Sequence, residues 1–200
     1  MNYNFQKIML LMKRCDWVSG KIHTKYHDRE WGTPLHNDRK LFEFLILDAM
    51  QSGLSWSIVL NKRKSFQKAF DNFDAKKISK YTERDIKRLL TDKGIIRNRR
   101  KIESAINNAQ RFLDTKKEFG KFDSYIWSFT NYKTITNRFK NWTDIPAVSK
   151  ESEAMSKDMK SRGFTFVGPT VCYAFMQTVG MVNDHVVGCF RRKELVSISR

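Results

Sequence analysis

The chain has 200 residues, 40% of them hydrophobic, which suits one domain or two lobes sharing a core and excludes a disordered chain. Thirty-eight Lys and Arg against 21 Asp and Glu leave a net charge of +17. That imbalance favours a polyanionic partner, and the spread of basic residues along the whole chain favours nucleic acid over a membrane surface. No apolar run reaches the ~20 residues of a spanning helix. The run Ile8 to Met12 is too short for a signal-peptide core and lacks a small-residue cleavage site. Three cysteines, Cys15, Cys172 and Cys189, are an odd number in a chain large enough to build a core, which points to a reducing cytoplasm.

From Asp38 to Gln51 the residues Leu41, Phe42, Phe44, Leu45, Leu47 and Ala49 follow a helical pattern, and Gly53 is placed to end it. Ser55 is placed to cap the next helix, which turns Trp56, Val59, Leu60 and Phe66 inward and Lys62, Arg63 and Lys64 outward. Asp74 reads as the cap of a short helix, and Thr82 with Asp85 as a capping box with a shortened acid. Residues 98–116 form an amphipathic helix whose start carries a basic lip of Arg97, Arg99, Arg100 and Lys101. Further helices are expected over residues 123–129, 149–162 and 169–179. No stretch alternates strictly enough for a strand, so the class is mainly α.

Three constellations carry chemistry. Residues 161–180 have the form helix, glycine-bounded hairpin, helix: Gly163 suits a left-handed stop, and Gly168-Pro169-Thr170 suits a helix start. Such a hairpin presents free amides that suit a phosphate, although an ordinary helix connection has the same spacing. Secondly, His185 and Cys189 lie one helical turn apart, and Cys15 with His27, or with His23 one turn away, could complete a two-plus-two zinc set. Spacing alone does not join the two ends. Thirdly, Trp17, Tyr26, Trp31 and Trp56 crowd forty residues, while Asp48 shares a helix face with Leu41 and Leu45. A buried carboxylate needs a partner, either a structural one such as a nearby basic side chain or a helix N-terminus, or a flat, cationic ligand held between aromatic faces.

Several segments in order resemble the 3-methyladenine DNA glycosylase I (Tag) family of the helix-hairpin-helix glycosylases. They include Cys15-Asp16-Trp17, residues 26–32, Gln51 to Trp56, Gly94 to Arg99, Trp127-Ser128-Phe129, Gly163 to Thr170, Phe175-Met176-Gln177 and Val182 to Cys189. The resemblance covers about residues 12–190. It implies a two-lobed helical fold in which Cys15, His27, His185 and Cys189 bind a structural zinc joining the termini, which selects His27 over His23. It implies that Trp17, Tyr26, Trp31, Asp48 and Trp56 line the base pocket, with Asp48 the catalytic carboxylate. Leu54 would press into the base stack, and Gly163, Gly168 and Thr170 would grip alkylated double-stranded DNA. The implied activity is hydrolysis of the N-glycosidic bond of 3-methyladenine in base-excision repair by a cytoplasmic monomer. Thr170 stands where a Schiff-base lysine would be needed for strand cleavage, so a monofunctional enzyme is expected. Asn183, or its neighbour Asp184, lies about where related glycosylases hold a catalytic Asp.

The chain departs from the family pattern at Asp48-Ala49-Met50, where Glu-Gly-Gln is usual. The carboxylate is thereby withdrawn by on the order of 1.5 Å. The alternative reading is a zinc-stabilised DNA-binding module with an altered pocket and no catalysis. Residues 1–11 have no family counterpart and read as a disordered extension or alternative start, and residues 191–200 as a basic tail.

Overall fold

The structure is a computed structural model, and it describes residues 12–198, so the extension expected over residues 1–11 lies outside the described residues. Ten α-helices follow one another among the described residues: α1 (Gly20–Arg29), α2 (Asp38–Gln51), α3 (Trp56–Ala69), α4 (Ala75–Ile78), α5 (Glu83–Thr91), α6 (Arg99–Phe119), α7 (Phe122–Ser128), α8 (Lys150–Ser161), α9 (Pro169–Thr178) and α10 (Phe190–Ile198). Two strands of two residues each, β1 (Ile135–Thr136) and β2 (Val182–Asn183), pair in parallel with Ile135 opposite Val182. Two residues are too few for alternation to betray a strand.

Local chemistry sets the helix boundaries. The Asn37 side chain accepts from the Lys40 amide, Asn98 from Lys101, Ser149 from Ser152, and Asp74 from both Lys76 and Lys77. Each satisfies an amide that the first turn leaves without a helical acceptor. Thr82 and Asp85 form the expected reciprocal capping box. Ser55 occupies the N-cap position of α3, but its side chain makes no capping bond.

Helix α2 is the axis of the fold. Every residue from Leu41 to Met50 is buried, so α2 is enclosed on all sides and is not amphipathic. It touches α3, α6, α7 and α9, while α6 also packs on α4, α5 and α7, and α8 packs on α9. Phe42, Phe112 and Phe122 pack as tilted rings through this core, with ring centroids 4.9 and 4.5 Å apart.

Two acids sit inside α2, five residues apart, and the fold treats them oppositely. Glu43 accepts from Arg63 Nε at 2.8 Å, Lys40 Nζ at 2.7 Å and Gln67 Nε2 at 3.0 Å. Burial alone would raise its pKa, yet the Arg63 and Lys40 contacts outweigh burial and hold it below the usual range. Asp48 Oδ2 is buried without a hydrogen-bond partner among the described residues.

Four expectations change. Arg63 was expected outward but turns in to bridge Glu43 and Glu30, the latter at 2.6 Å, because the buried carboxylate requires it. Lys101, which the sequence places in the basic lip of α6, is buried at 8% exposure. Residues 191–200, read as a tail, are helical up to Ile198, with Leu195 buried and Arg191 Nη2 donating to Thr33 Oγ1 at 2.8 Å. Helix α1 was not foreseen, since its sequence carries little apolar periodicity.

Candidate functional site

A cavity of about 320 Å³ opens between α1, α2, α3 and α9. All five side chains expected to make a base pocket, Trp17, Tyr26, Trp31, Asp48 and Trp56, line it. Trp17 meets Trp31 edge-on at 5.1 Å, and Tyr26 tilts against Trp56 at 5.4 Å. The Tyr26 hydroxyl is tied to Thr178 Oγ1 at 3.0 Å, which fixes that ring against α9. The indole N–H groups of Trp17 and Trp56 are buried without an acceptor among the described residues. Rigid aromatic walls with a few unsatisfied polar groups make a receptor for a flat heterocycle.

Asp48 supplies a carboxyl to the cavity wall at 2% exposure. Burial pushes its carboxyl well above the usual carboxylate range. Burial, and then the neighbouring Asp48 charge, pushes the Tyr26 phenol well above its ordinary value, so the phenol remains a neutral donor. A cation entering this cavity would meet a carboxyl whose ionised form lacks any other partner among the described residues.

Sequence reasoning missed His23, Gln51, Trp142 and Gln177, which also line the cavity. By spacing, His23 is also a candidate metal ligand. Its Nε2 instead pairs with Ser57 Oγ at 2.8 Å, while Nδ1 is buried and unpartnered among the described residues. Trp142, in a short 3₁₀ turn far along the chain, contacts both Trp17 and Trp31 at 5.9 and 6.1 Å. The scarcity of tryptophan was the only signal that could have drawn attention to it.

Leu54 sits on the turn between α2 and α3, where Gly53 has φ +76, and is 36% exposed beside the pocket residues Gln51 and Ser55. Gly163, at φ +84, ends α8 as expected, and Gly168 is the N-cap of α9 with Pro169 at its first position. Thr170 is exposed in the first turn of α9, whose amides have no helical acceptor. A second cavity of about 360 Å³ shares Trp142, Ala174 and Gln177 with the aromatic one and runs to Thr170, joining the two features. The turn before α9 is clamped by α6: Asn108 accepts from the Thr165 amide and donates to its carbonyl, both at 2.9 Å. Asn183 and Asp184 do not line the aromatic cavity. Asp184 is instead held by Tyr173, Gln177 and Asn137 at 2.7–2.8 Å.

Cys15, His27, His185 and Cys189 come together, all buried, with ligand atoms within 4.8 Å of one another. His185 Nδ1 lies 3.2 Å from His27 Nε2 and 3.4 Å from Cys189 Sγ, and Cys15 Sγ lies 3.7 Å from His185 Nδ1. Tetrahedral coordination with bonds of about 2.0–2.3 Å has ligand-to-ligand edges of about 3.3–3.8 Å, close to these separations. His185 Nε2 faces the Trp31 carbonyl at 3.1 Å, and His27 Nδ1 faces Asp28 at 2.8 Å, so both outer nitrogens carry protons. The inner nitrogens therefore turn lone pairs toward each other, an arrangement that a metal cation satisfies. The hydrogen bond from Cys15 is the largest influence on the Cys189 thiol, which is held far below its ordinary range, in the ligand form.

A sequence model of the methyladenine glycosylase family matches residues 17–192. DNA-3-methyladenine glycosylase 1 of Escherichia coli strain K12 is 45% identical over 179 residues, covering 89% of this chain and 96% of that protein. The crystal structure of a 3-methyladenine DNA glycosylase I superposes with a TM-score of 0.87 at 44% identity, covering 89% of this chain and 98% of the other. A variant of such an enzyme in complex with 3-methyladenine has a TM-score of 0.87 at 31% identity, over 90% and 98% of the two chains. With an aromatic cavity, a lone buried carboxyl and matches spanning most of its length, the chain belongs to the methyladenine glycosylase family.

Proposed function

We propose that the chain is a monofunctional DNA glycosylase of base-excision repair that hydrolyses the N-glycosidic bond of 3-methyladenine in alkylated double-stranded DNA. The observation that carries this reading is the aromatic cavity closed by a buried carboxyl with no cation among the described residues to neutralise it. An adenine alkylated at N3 within DNA is planar and positively charged, so it supplies both the stacking surface and the missing charge.

The lesion must leave the duplex to reach the cavity. Leu54 fills the stack behind it, and the first-turn amides of α9, with Gly163, Gly168 and Thr170 shaping the hairpin, hold a backbone phosphate. Trp17, Tyr26, Trp31 and Trp56 enclose the base and exclude water. Asp48 accepts a hydrogen bond from the base edge. The charged base already weakens its bond to C1′. When that bond breaks, its electron pair goes to the base, which leaves neutral, and C1′ takes up water with loss of a proton. No amine nucleophile is required, and Thr170 at the start of α9 provides none, so the DNA strand stays intact.

Cys15, His27, His185 and Cys189 would hold a structural zinc, for which two thiols and two imidazoles are a matched donor set. That site fastens the segment bearing Trp17 to the loop before α10, so one wall of the pocket depends on it. The protein acts as a cytoplasmic monomer in this reading. Chromatography of bases released from N-methylated duplex DNA tests the proposal. Release of 3-methyladenine above the spontaneous rate supports it, whereas salt-dependent DNA binding without release leaves only a binding module.

A further inference from the structure

The basic residues at the start of α6 divide into two kinds. Arg97 and Arg100 are exposed, and Arg99 pairs with Glu83 and Glu103 at the surface. Lys101 points inward, and its Nζ donates to the carbonyls of Met50 at 2.8 Å and Ser52 at 2.6 Å. Those carbonyls end α2, two and four residues after Asp48, and lead into the Leu54 turn. Burying an ammonium is costly, and burial lowers the Lys101 pKa, so this lysine is held where its charge is disfavoured. What it secures is a turn with little packing of its own: a Cβ at Gly53 would meet nothing within 4 Å. Among the described residues, hydrogen bonds reach residues 50–54 from another element only through Lys101.

Farther along the same helix, Ser104 and Asn108 follow at spacings of three and four, and both are buried. They grip the other DNA-facing feature. Asn108 brackets Thr165 through its amide and carbonyl, and Ser104 Oγ receives the Thr165 hydroxyl at 2.8 Å. Lys101 and Asn108 are seven residues apart, about 10 Å along the axis. Arg100, Glu103, Asn107 and Lys160 line a groove of about 470 Å³ between α6 and the hairpin turn.

We propose that the buried polar stripe Lys101, Ser104 and Asn108 on α6 is a positioning device that sets the separation between the Leu54 wedge and the phosphate-gripping hairpin. None of the three touches the base. The stripe makes the wedge enter the duplex in register with the phosphate contact, which delivers the lesion to the pocket. This inference rests on the reading of Leu54 as the wedge.

The test compares Lys101→Met, Asn108→Ser, Lys101→Arg and Leu54→Ala with wild type. Three quantities are read: single-turnover release of 3-methyladenine from methylated duplex DNA, affinity for free 3-methyladenine by tryptophan quenching, and unstacking of a 2-aminopurine beside an abasic analogue. Lys101→Met and Asn108→Ser each slow duplex release roughly tenfold and reduce 2-aminopurine unstacking, while free-base affinity stays within about twofold; misplacement on the order of 1 Å has effects of at least this size. Lys101→Arg recovers most of the loss. Parallel loss of free-base affinity would show a merely structural role and overturn the proposal, as would wild-type release by both stripe variants. If Leu54→Ala alone releases at the wild-type rate, the wedge reading fails and takes the proposal with it. If Leu54→Ala is slow while the stripe variants match wild type, only the positioning role fails.

Discussion

Asp48→Asn separates function from stability with opposite signs. Asp48 Oδ2 is buried without a partner among the described residues, and burial raises its pKa well above the usual carboxylate range. An unsatisfied buried acceptor costs about 1–3 kcal/mol, more when charged. Asparagine keeps the shape but needs partners for its own amide, so the net gain at pH 8 is about 1 kcal/mol, or about 2–4 °C in melting temperature for a chain of this size. The pH dependence follows from the direction of the shift. Between the unfolded carboxyl value near 4 and the raised folded value, the native state binds more protons than the unfolded state, so wild-type stability falls as pH rises. The Asp48→Asn advantage is therefore absent near pH 4 and opens towards pH 8. Thermal melts of both proteins at pH 4, 6 and 8 measure it, and taking the difference cancels the other carboxyls. A difference independent of pH, or a wild type more stable at pH 8, would refute the reasoning.

Other perturbations test the frame around the pocket. Glu43→Gln should destabilise by about 2–3 kcal/mol at pH 7, because it strips the anion from a buried pair with Arg63. Since the Glu43 pKa is lowered, this contribution is present above its unfolded value and lost as pH falls through the folded one, so the two proteins' urea midpoints should converge in acid. Gly180→Ala should be more severe: with φ +75, a Cβ there would lie 2.4 Å from both Thr33 C and Pro34 N, and loss of more than ~3 kcal/mol by urea titration is expected. Elemental analysis should find about one zinc per wild-type chain and none in Cys189→Ser, with chelation lowering the wild-type melting temperature. Undiminished zinc in Cys189→Ser would remove Cys189 from the ligand set.

What could be read from the sequence follows from the range of the interactions involved. Helix α2 was legible because a dense apolar run from Leu41 onward closes at Gly53, and the α4 and α5 caps were legible because Asp74, Thr82 and Asp85 act within three residues. The five pocket side chains and the four metal candidates came as motifs in order, and the fold does bring each set together. Helix α1 was not legible, since Tyr26 and His27 are its only buried residues and both are held by distant partners, Thr178 and His185. Helix α10 was masked by its basic sequence and owes its docking to Leu195 and Arg191. Arg63 and Lys101 were read outward as their residue type suggests, but the Glu43 carboxylate and the open end of α2 pull them in. Local sequence cannot show such needs, because the partners lie 20 and about 50 residues away.

The central claim is that the aromatic cavity and its lone carboxyl hold and release a cationic purine. The most direct measurement is the single-turnover rate of 3-methyladenine release from methylated duplex DNA by wild type and Asp48→Asn under identical salt and pH. The account predicts that wild type far exceeds spontaneous loss and that Asp48→Asn is slower by roughly 10- to 100-fold while remaining folded. Equal rates for the two proteins, or a wild-type rate no faster than spontaneous release, would contradict it.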